Sequence, residues 1–158
     1  MTYEELLIHS FNEGLYVKEK KLVSSNGRIK GRRVAIRKEL SEIEKQCTLA
    51  EELGHYYTSV GDIIRIKNES DIKQEYRARI WAYKKLVSFE SLIECFEARC
   101  LDKYDYIERL NVTETFFNES IDYYKKKYGL LYIYNNYVIY FEPTLAITKF
   151  DINRCIAY

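Results

Sequence analysis

The chain has 158 residues, a length that predicts one domain with room for a small appendage. Hydrophobic residues make up 47% of it, enough for a sizeable core, and this content excludes a disordered chain. Its 25 Lys and Arg nearly balance 24 Asp and Glu, and its longest uncharged stretch, residues 129–141, is shorter than the roughly 18 residues of a membrane-spanning helix. We therefore expect no membrane association.

The start of the chain, MTYEELLIHS, carries two glutamates where an export signal has basic residues followed by an apolar run. Without export the protein stays in a reducing compartment, so we expect a cytoplasmic location. We also expect reduced and mostly buried thiols rather than disulfides. The four cysteines are Cys47, Cys95, Cys100 and Cys155.

The first third of the chain predicts a helix followed by strands. Residues 3–13 have an amphipathic helical pattern, and residues 15–36 contain strand-like segments. Asn26-Gly27 is the strongest short hairpin signal, because both central positions of a type I′ turn need a positive φ. We therefore expect two or three antiparallel strands here. Residues 28–38 carry six basic residues and no acidic one, a basic ribbon that is also typical of a solvated sheet edge.

Helical patterns dominate the rest of the chain. Ser41 and Glu44 form a capping box at the start of a helix over residues 40–60. Because the strands precede a run of helices without βαβ alternation, the order predicts an α+β fold with a small antiparallel sheet. Asn135-Asn136 lies between two apolar segments and predicts a second hairpin. The further helices are expected over residues 71–87, 89–99, 102–110 and 113–128.

The chain has only two histidines, and His9 has no ligand-spaced partner. His55 lies on the predicted helix 40–60, one turn after Glu51 and on the same face, with Glu52 projecting beside the pair. The HExxH zinc motif uses this arrangement: ligands at i and i+4, and an intervening glutamate beside the water that attacks the substrate. Here Glu51 stands where the first histidine would be. The same pattern also arises without a metal site, because an ordinary exposed helical face carries glutamates and one histidine among them is common.

Two segments in this order, LAEELGHYY and EYRARIWA, resemble the ImmA/IrrE family of metallo-endopeptidases. That family has LAHELGH on one helix and Glu-x-x-Ala-x-x-aromatic-Ala on the next. The resemblance implies a mainly helical zincin-like domain over residues 1–100 and a small helical and β-hairpin extension over residues 101–158. The matching residues are Leu49, Ala50, Glu52, Leu53, Gly54 and His55 in the first segment and Glu75, Ala78, Trp81 and Ala82 in the second.

The resemblance also implies the residues of the site. Glu75 becomes the third metal ligand beside Glu51 and His55, and Glu52 becomes the general base. Glu75 also has the spacing of an ordinary i,i+4 surface pair with Arg79. Zn²⁺ accepts carboxylate oxygens and is the expected ion, although carboxylate ligands weaken its Lewis acidity and make Mn²⁺ or Fe²⁺ more competitive.

Members of this family often act inside the cell on helix-turn-helix repressors of phages or mobile elements. The resemblance therefore implies a metal-dependent endopeptidase that cleaves such a repressor, with the hairpin beside the site holding an extended substrate as an added strand. Cys47 lies about two turns from His55, too far to share its metal, and is predicted to be a packing residue.

Two other functions stay open from the sequence. A catalytically silent relative would bind a repressor or toxin without cutting it, because Glu51 impairs the metal site. A DNA-binding module would use residues 28–38 and the helix-turn-helix-like segment 104–117. The acidic side chains of that segment's second helix would repel phosphates, so we expect no direct contact with nucleic acid. They are Glu114, Glu119 and Asp122.

Overall fold

A computed structural model describes residues 1–59 and 71–150. Six helices and six short strands lie in these ranges. The helices are α1 (Tyr3–Asn12), α2 (Glu42–Ser59), α3 (Asp71–Leu86), α4 (Phe89–Glu97), α5 (Lys103–Leu110) and α6 (Glu114–Tyr128). The strands are β1 (Tyr16–Lys20), β2 (Gly27–Lys30), β3 (Arg33–Arg37), β4 (Leu131–Tyr134), β5 (Tyr137–Tyr140) and β6 (Ala146–Lys149).

The predicted α+β, mainly helical class is confirmed, and every predicted helix is present; those predicted ends that fall on described residues are shifted by two residues at most. The helix starts follow from their capping residues. Ser41 Oγ accepts the Glu44 backbone N–H at 3.3 Å, and the Glu44 carboxylate accepts the Ser41 N–H at 2.8 Å, which is the predicted capping box. Residue 60, the expected end of α2, and Cys155 lie outside the described residues.

The first sheet has the strand order β1-β3-β2, and it differs from the predicted antiparallel sheet in one pairing. β2 and β3 are antiparallel, whereas β1 runs parallel to β3, with Lys18 opposite Ala35. Val34 and Ile36 point from β3 into the core. This inner face lies against α2, so the sheet is placed beside the helix that carries Glu51, Glu52 and His55.

The hairpin predicted at Asn26-Gly27 is wrong. The turn between β2 and β3 is Gly31-Arg32, where Gly31 takes a φ of 58°, and Gly27 begins β2 opposite Ile36. Gly27 serves close packing instead: a Cβ there would lie 2.6 Å from Glu52 Oε1. The glycine that sequence reasoning assigned to a turn therefore brings the edge strand against α2.

The second sheet joins β4, β5 and β6 in antiparallel order, and the hairpin predicted at Asn135-Asn136 is confirmed, with Asn135 at a φ of 54°. Helix α6 packs on α3, and the Tyr124 hydroxyl donates to the Val87 carbonyl at 2.8 Å. The division of the chain at residue 100 stays a prediction. None of the helices described is long and apolar enough to cross a bilayer.

Candidate metal centre

Helices α2 and α3 pack more closely than ordinary side chains allow. A Cβ on Gly54 would overlap the carbonyl oxygen of Ala78, and Ala78 and Ala82 are themselves fully buried. Only small residues let two helix backbones come so near, because larger side chains hold helix axes about 8–10 Å apart. This close packing places His55, the residue after Gly54, next to α3.

The close packing places His55 beside Glu75. His55 Nε2 lies 3.2 Å from Glu75 Oε2, although twenty positions separate the two residues in sequence. The other oxygen of the same carboxylate, Oε1, accepts a hydrogen bond from Arg79 Nε at 3.1 Å. Glu75 therefore lies beside His55 and also forms the i,i+4 pair with Arg79 that its spacing predicts.

Glu51 lines a cavity together with Arg79 and Glu119. Burial raises the pKa of Glu51 to about 7, and the positive charge of Arg79 opposes that rise, while the charges of Glu75 and Glu119 add to it. Arg79 Nη1 is 3.8 Å from Glu119 Oε2, which also accepts the Tyr83 hydroxyl at 2.7 Å. A polar cavity of about 390 Å³ between α2, α3 and α6 is lined by Glu51, Arg79 and Glu119.

Glu52 faces the first sheet. Its carboxylate fits against the bare backbone of Gly27 and is hydrogen-bonded by the backbone N–H of Ile29. Burial, followed by the negative charges of Glu51 and Glu75, raises the pKa of Glu52 to about 7. A half-buried carboxyl group with a pKa near neutrality is well suited to accept and release a proton at physiological pH.

The residues present match a divalent ion in part. Two ligands on one tetrahedral ion with bonds of about 2.0–2.1 Å stand roughly 3.3 Å apart, and the His55 Nε2 to Glu75 Oε2 separation is close to that value. Burial is the main cause of the raised pKa values of Glu51 and Glu52, and the neighbouring carboxylates add to it, so a cation bound here would favour their ionised forms. Across residues 1–59 and 71–150, however, no three His, Cys, Asp or Glu side chains converge as a metal site. The structure thus joins His55 with Glu75 and leaves Glu51 with Arg79.

His9 contacts Tyr57 outside the cavity that Glu51 lines, whereas Cys47 borders that cavity. His9 Nε2 is hydrogen-bonded to the Tyr57 hydroxyl at 3.0 Å, consistent with a residue at the edge of the core. Cys47 is buried, and burial raises the pKa of its thiol to about 11, as a packing residue requires.

Sequence reasoning did not find the roles of three residues. The sequence indicates Arg79 only as a partner of Glu75 and Glu119 only as an acidic residue of its helix, and it gives no signal for Tyr83. Glu119 comes from α6, and no sequence spacing indicates which face of that helix meets α3. Its contacts with Arg79 and Tyr83 exist only once the two helices pack.

The geometry agrees with the comparison to protein-family models. The model described as Peptidase_M78, the IrrE N-terminal-like domain, matches residues 7–122. The chain belongs to this metallopeptidase family. No curated protein and no solved structure matches the chain. The match covers β1 to β3, α2 and α3, and so includes both helices of the candidate centre. Membership implies a metal, typically zinc.

Proposed function

We propose that this chain is a metal-dependent endopeptidase of the cytoplasm, with His55 and Glu75 as metal ligands, Glu51 as the third ligand and Glu52 as the general base. The observation that carries the proposal is the 3.2 Å separation of His55 Nε2 and Glu75 Oε2 on two helices whose close packing depends on Gly54. Zn²⁺ is the expected ion, with Mn²⁺ and Fe²⁺ as competitors because two of the three ligands are carboxylates.

A bound ion would supply Lewis acidity toward the peptide carbonyl and the attacking water. The chain's own contribution is the placement of proton-transfer groups. Glu52 is held against Gly27 and hydrogen-bonded by the Ile29 N–H, so its carboxylate is fixed at the edge of the sheet. With its pKa raised to about 7 it can take a proton from water and pass it to the leaving amine.

The position of β2 supports a protein substrate. It is an edge strand of the first sheet and borders the Glu52 carboxylate. An extended peptide can pair with an edge strand through backbone hydrogen bonds, which requires a flexible segment rather than a folded one. We propose that the substrate is a helix-turn-helix repressor of a phage or mobile element, cut in such a segment. We propose no direct contact with nucleic acid at this centre.

Metal content tests the first part of the proposal. Native mass spectrometry of the purified wild-type chain should show about one divalent ion per chain. His55→Ala should lose the ion, whereas His9→Ala, which removes the other histidine of the chain, should keep it. Equal metal content in wild type and His55→Ala would overturn the ligand assignment.

Cleavage tests the second part. The helix-turn-helix repressor encoded nearest to the gene is co-expressed with wild type or with Glu52→Gln, and its intact length is followed. Glu52→Gln keeps the shape of the side chain and removes its basicity, so it should keep the metal and lose cleavage by roughly 10² or more. Equal cleavage by both chains would eliminate Glu52 as the base.

The place of Arg79 favours one alternative function. The Arg79 guanidinium is hydrogen-bonded to Glu75, and its positive charge offsets the negative charge of Glu51. A divalent ion must therefore compete with Arg79 for these two carboxylates. If Arg79 keeps its place beside Glu75 and Glu51 and no ion binds, the chain is a catalytically silent relative that binds a repressor or toxin without cutting it. Tight binding of the repressor by wild type, with no cleavage and no metal, is the result that identifies this alternative.

A further inference from the structure

The outer face of the first sheet is a trough lined with cations. Ala35 lies at its centre on β3, opposite Lys18 of β1 on one side and Arg28 of β2 on the other. Because side chains alternate along a strand, this face is opposite to the one through which Val34 and Ile36 enter the core. The short side chain of Ala35 leaves a cavity of about 600 Å³ between the longer side chains around it.

Five basic side chains surround this cavity, which we call the cationic trough. All five are exposed, and among the described residues no carboxylate lies within ion-pair distance of them. The whole chain carries a net charge of only +1, so the trough concentrates positive charge while the remainder of the surface is acidic on balance. The five residues are Lys18, Lys20, Arg28, Lys30 and Arg33.

The trough and the candidate metal centre share strand β2, on opposite faces of which they lie. Arg28 lines it, and the positive charge of Arg28 also acts on Glu52 and lowers its pKa. The next residue, Ile29, donates its backbone N–H to the Glu52 carboxylate. A ligand lying along the trough would therefore be separated from Glu52 by strand β2 alone.

We propose that the cationic trough binds an acidic segment of the protein substrate and thereby selects it. Lys18 and Arg28 flank Ala35 two strand spacings apart, about 10 Å, which suits one extended chain. Along one strand, Lys18 and Lys20 are separated by about 7 Å, the distance between alternate side chains of an extended peptide. The trough therefore matches acidic residues at every second position.

This proposal rests on the proposed function: a peptide is the favoured ligand because strand β2 borders both the trough and the proposed peptidase centre. Single-stranded nucleic acid is the competing ligand. The ring of Tyr16, 67% exposed at the end of the trough, would offer it a stacking surface.

Binding is measured with the full-length Glu52→Gln chain, so that cleavage does not consume the ligand. The probe is a fluorescent peptide with glutamate at alternate positions, and the comparison probes are the same peptide with glutamine and a single-stranded oligonucleotide of equal charge. We expect the acidic peptide to bind at least tenfold more tightly than either comparison probe and to weaken as salt is raised. Tighter binding of the oligonucleotide, or equal binding of the two peptides, would overturn the proposal.

Matched charge variants locate the binding. Lys18→Gln with Lys30→Gln removes two cations of the trough and should weaken acidic-peptide binding at least tenfold. Lys84→Gln with Lys126→Gln removes two exposed cations from α3 and α6 and should leave it unchanged. Equal loss in both pairs would show non-specific attraction and reject the site. Failure of the proposed function is read separately, because a chain without metal or cleavage can still bind the peptide, and an active chain can fail to prefer it.

Discussion

The backbone of Gly54 lies directly against the carbonyl of Ala78, and this contact sets how far His55 on α2 stands from Glu75 on α3. A methyl group at position 54 would overlap the Ala78 oxygen, so one of the two helices would have to move. The two proposed metal ligands are therefore positioned by a residue that carries no chemistry of its own.

Gly54→Ala should consequently damage both stability and metal binding. Alanine favours the helix by about 1 kcal/mol over glycine, but overpacking a buried contact costs about 1–3 kcal/mol and often more against a rigid backbone. We expect a lower melting temperature by circular dichroism and a loss of bound metal by native mass spectrometry. Lys84→Ala, an exposed change on α3, is the control. A Gly54→Ala chain with wild-type metal content would contradict the role assigned to this contact.

Arg79→Gln should strengthen metal binding. The substitution removes the cation that pairs with Glu75 and offsets the charge of Glu51, leaving those carboxylates to a divalent ion. Because Coulomb interactions of this kind amount to a few kcal/mol before screening, we expect the metal Kd to fall by about tenfold or more. Isothermal titration with Zn²⁺ measures it, with Lys84→Gln as the control for loss of one cation from α3. A weaker or unchanged Kd would show that Arg79 supports the site rather than competing for it.

The metal-free protein should lose stability as pH rises through neutrality. Glu51 and Glu52 have ordinary pKa values of 4.5 and folded-state values of about 7, so between these pH values the folded chain holds more protons than the unfolded one. The free energy of unfolding then falls as pH increases from about 5 to about 8 and is level below the unfolded pKa.

Thermal unfolding with a chelator present measures this dependence. Glu51→Gln should flatten the fall, whereas Glu108→Gln, an exposed carboxylate on α5, should not. A fall of the same size in the Glu51→Gln chain would show that other groups cause it.

Gly27→Ala should reduce cleavage more than stability. A methyl group there would lie 2.6 Å from Glu52 Oε1 and 2.7 Å from Thr48 Cγ2, so β2 or the carboxylate of Glu52, the proposed base, must shift. We expect kcat/KM toward the repressor to fall by about tenfold, on the scale of a misplaced base. Gly31→Ala is a matched control, because its positive φ costs about 1 kcal/mol of strain and nothing lies within 4 Å of the new methyl group. The prediction fails if the two glycine variants lose activity equally.

The sequence alone determined the helices and the components of the site. Capping residues such as Ser41 and the apolar periodicity are local signals, so the start of α2 could be placed within two residues. The one-turn spacing of Glu51 and His55 and the segment beginning at Glu75 indicated the family that the family-model match then showed.

Only the tertiary structure decided how these parts meet. Gly27 has the local signature of a turn, but close packing against Glu52 determined its place, and a hairpin signal contains no information about a helix elsewhere in the chain. The pairing of Arg79 with Glu119 likewise depends on α6 lying against α3, because Glu119 is forty positions from Arg79 and no local rule joins them. Local spacing specifies which side chains share a helix face, whereas packing between elements specifies which charges compensate one another.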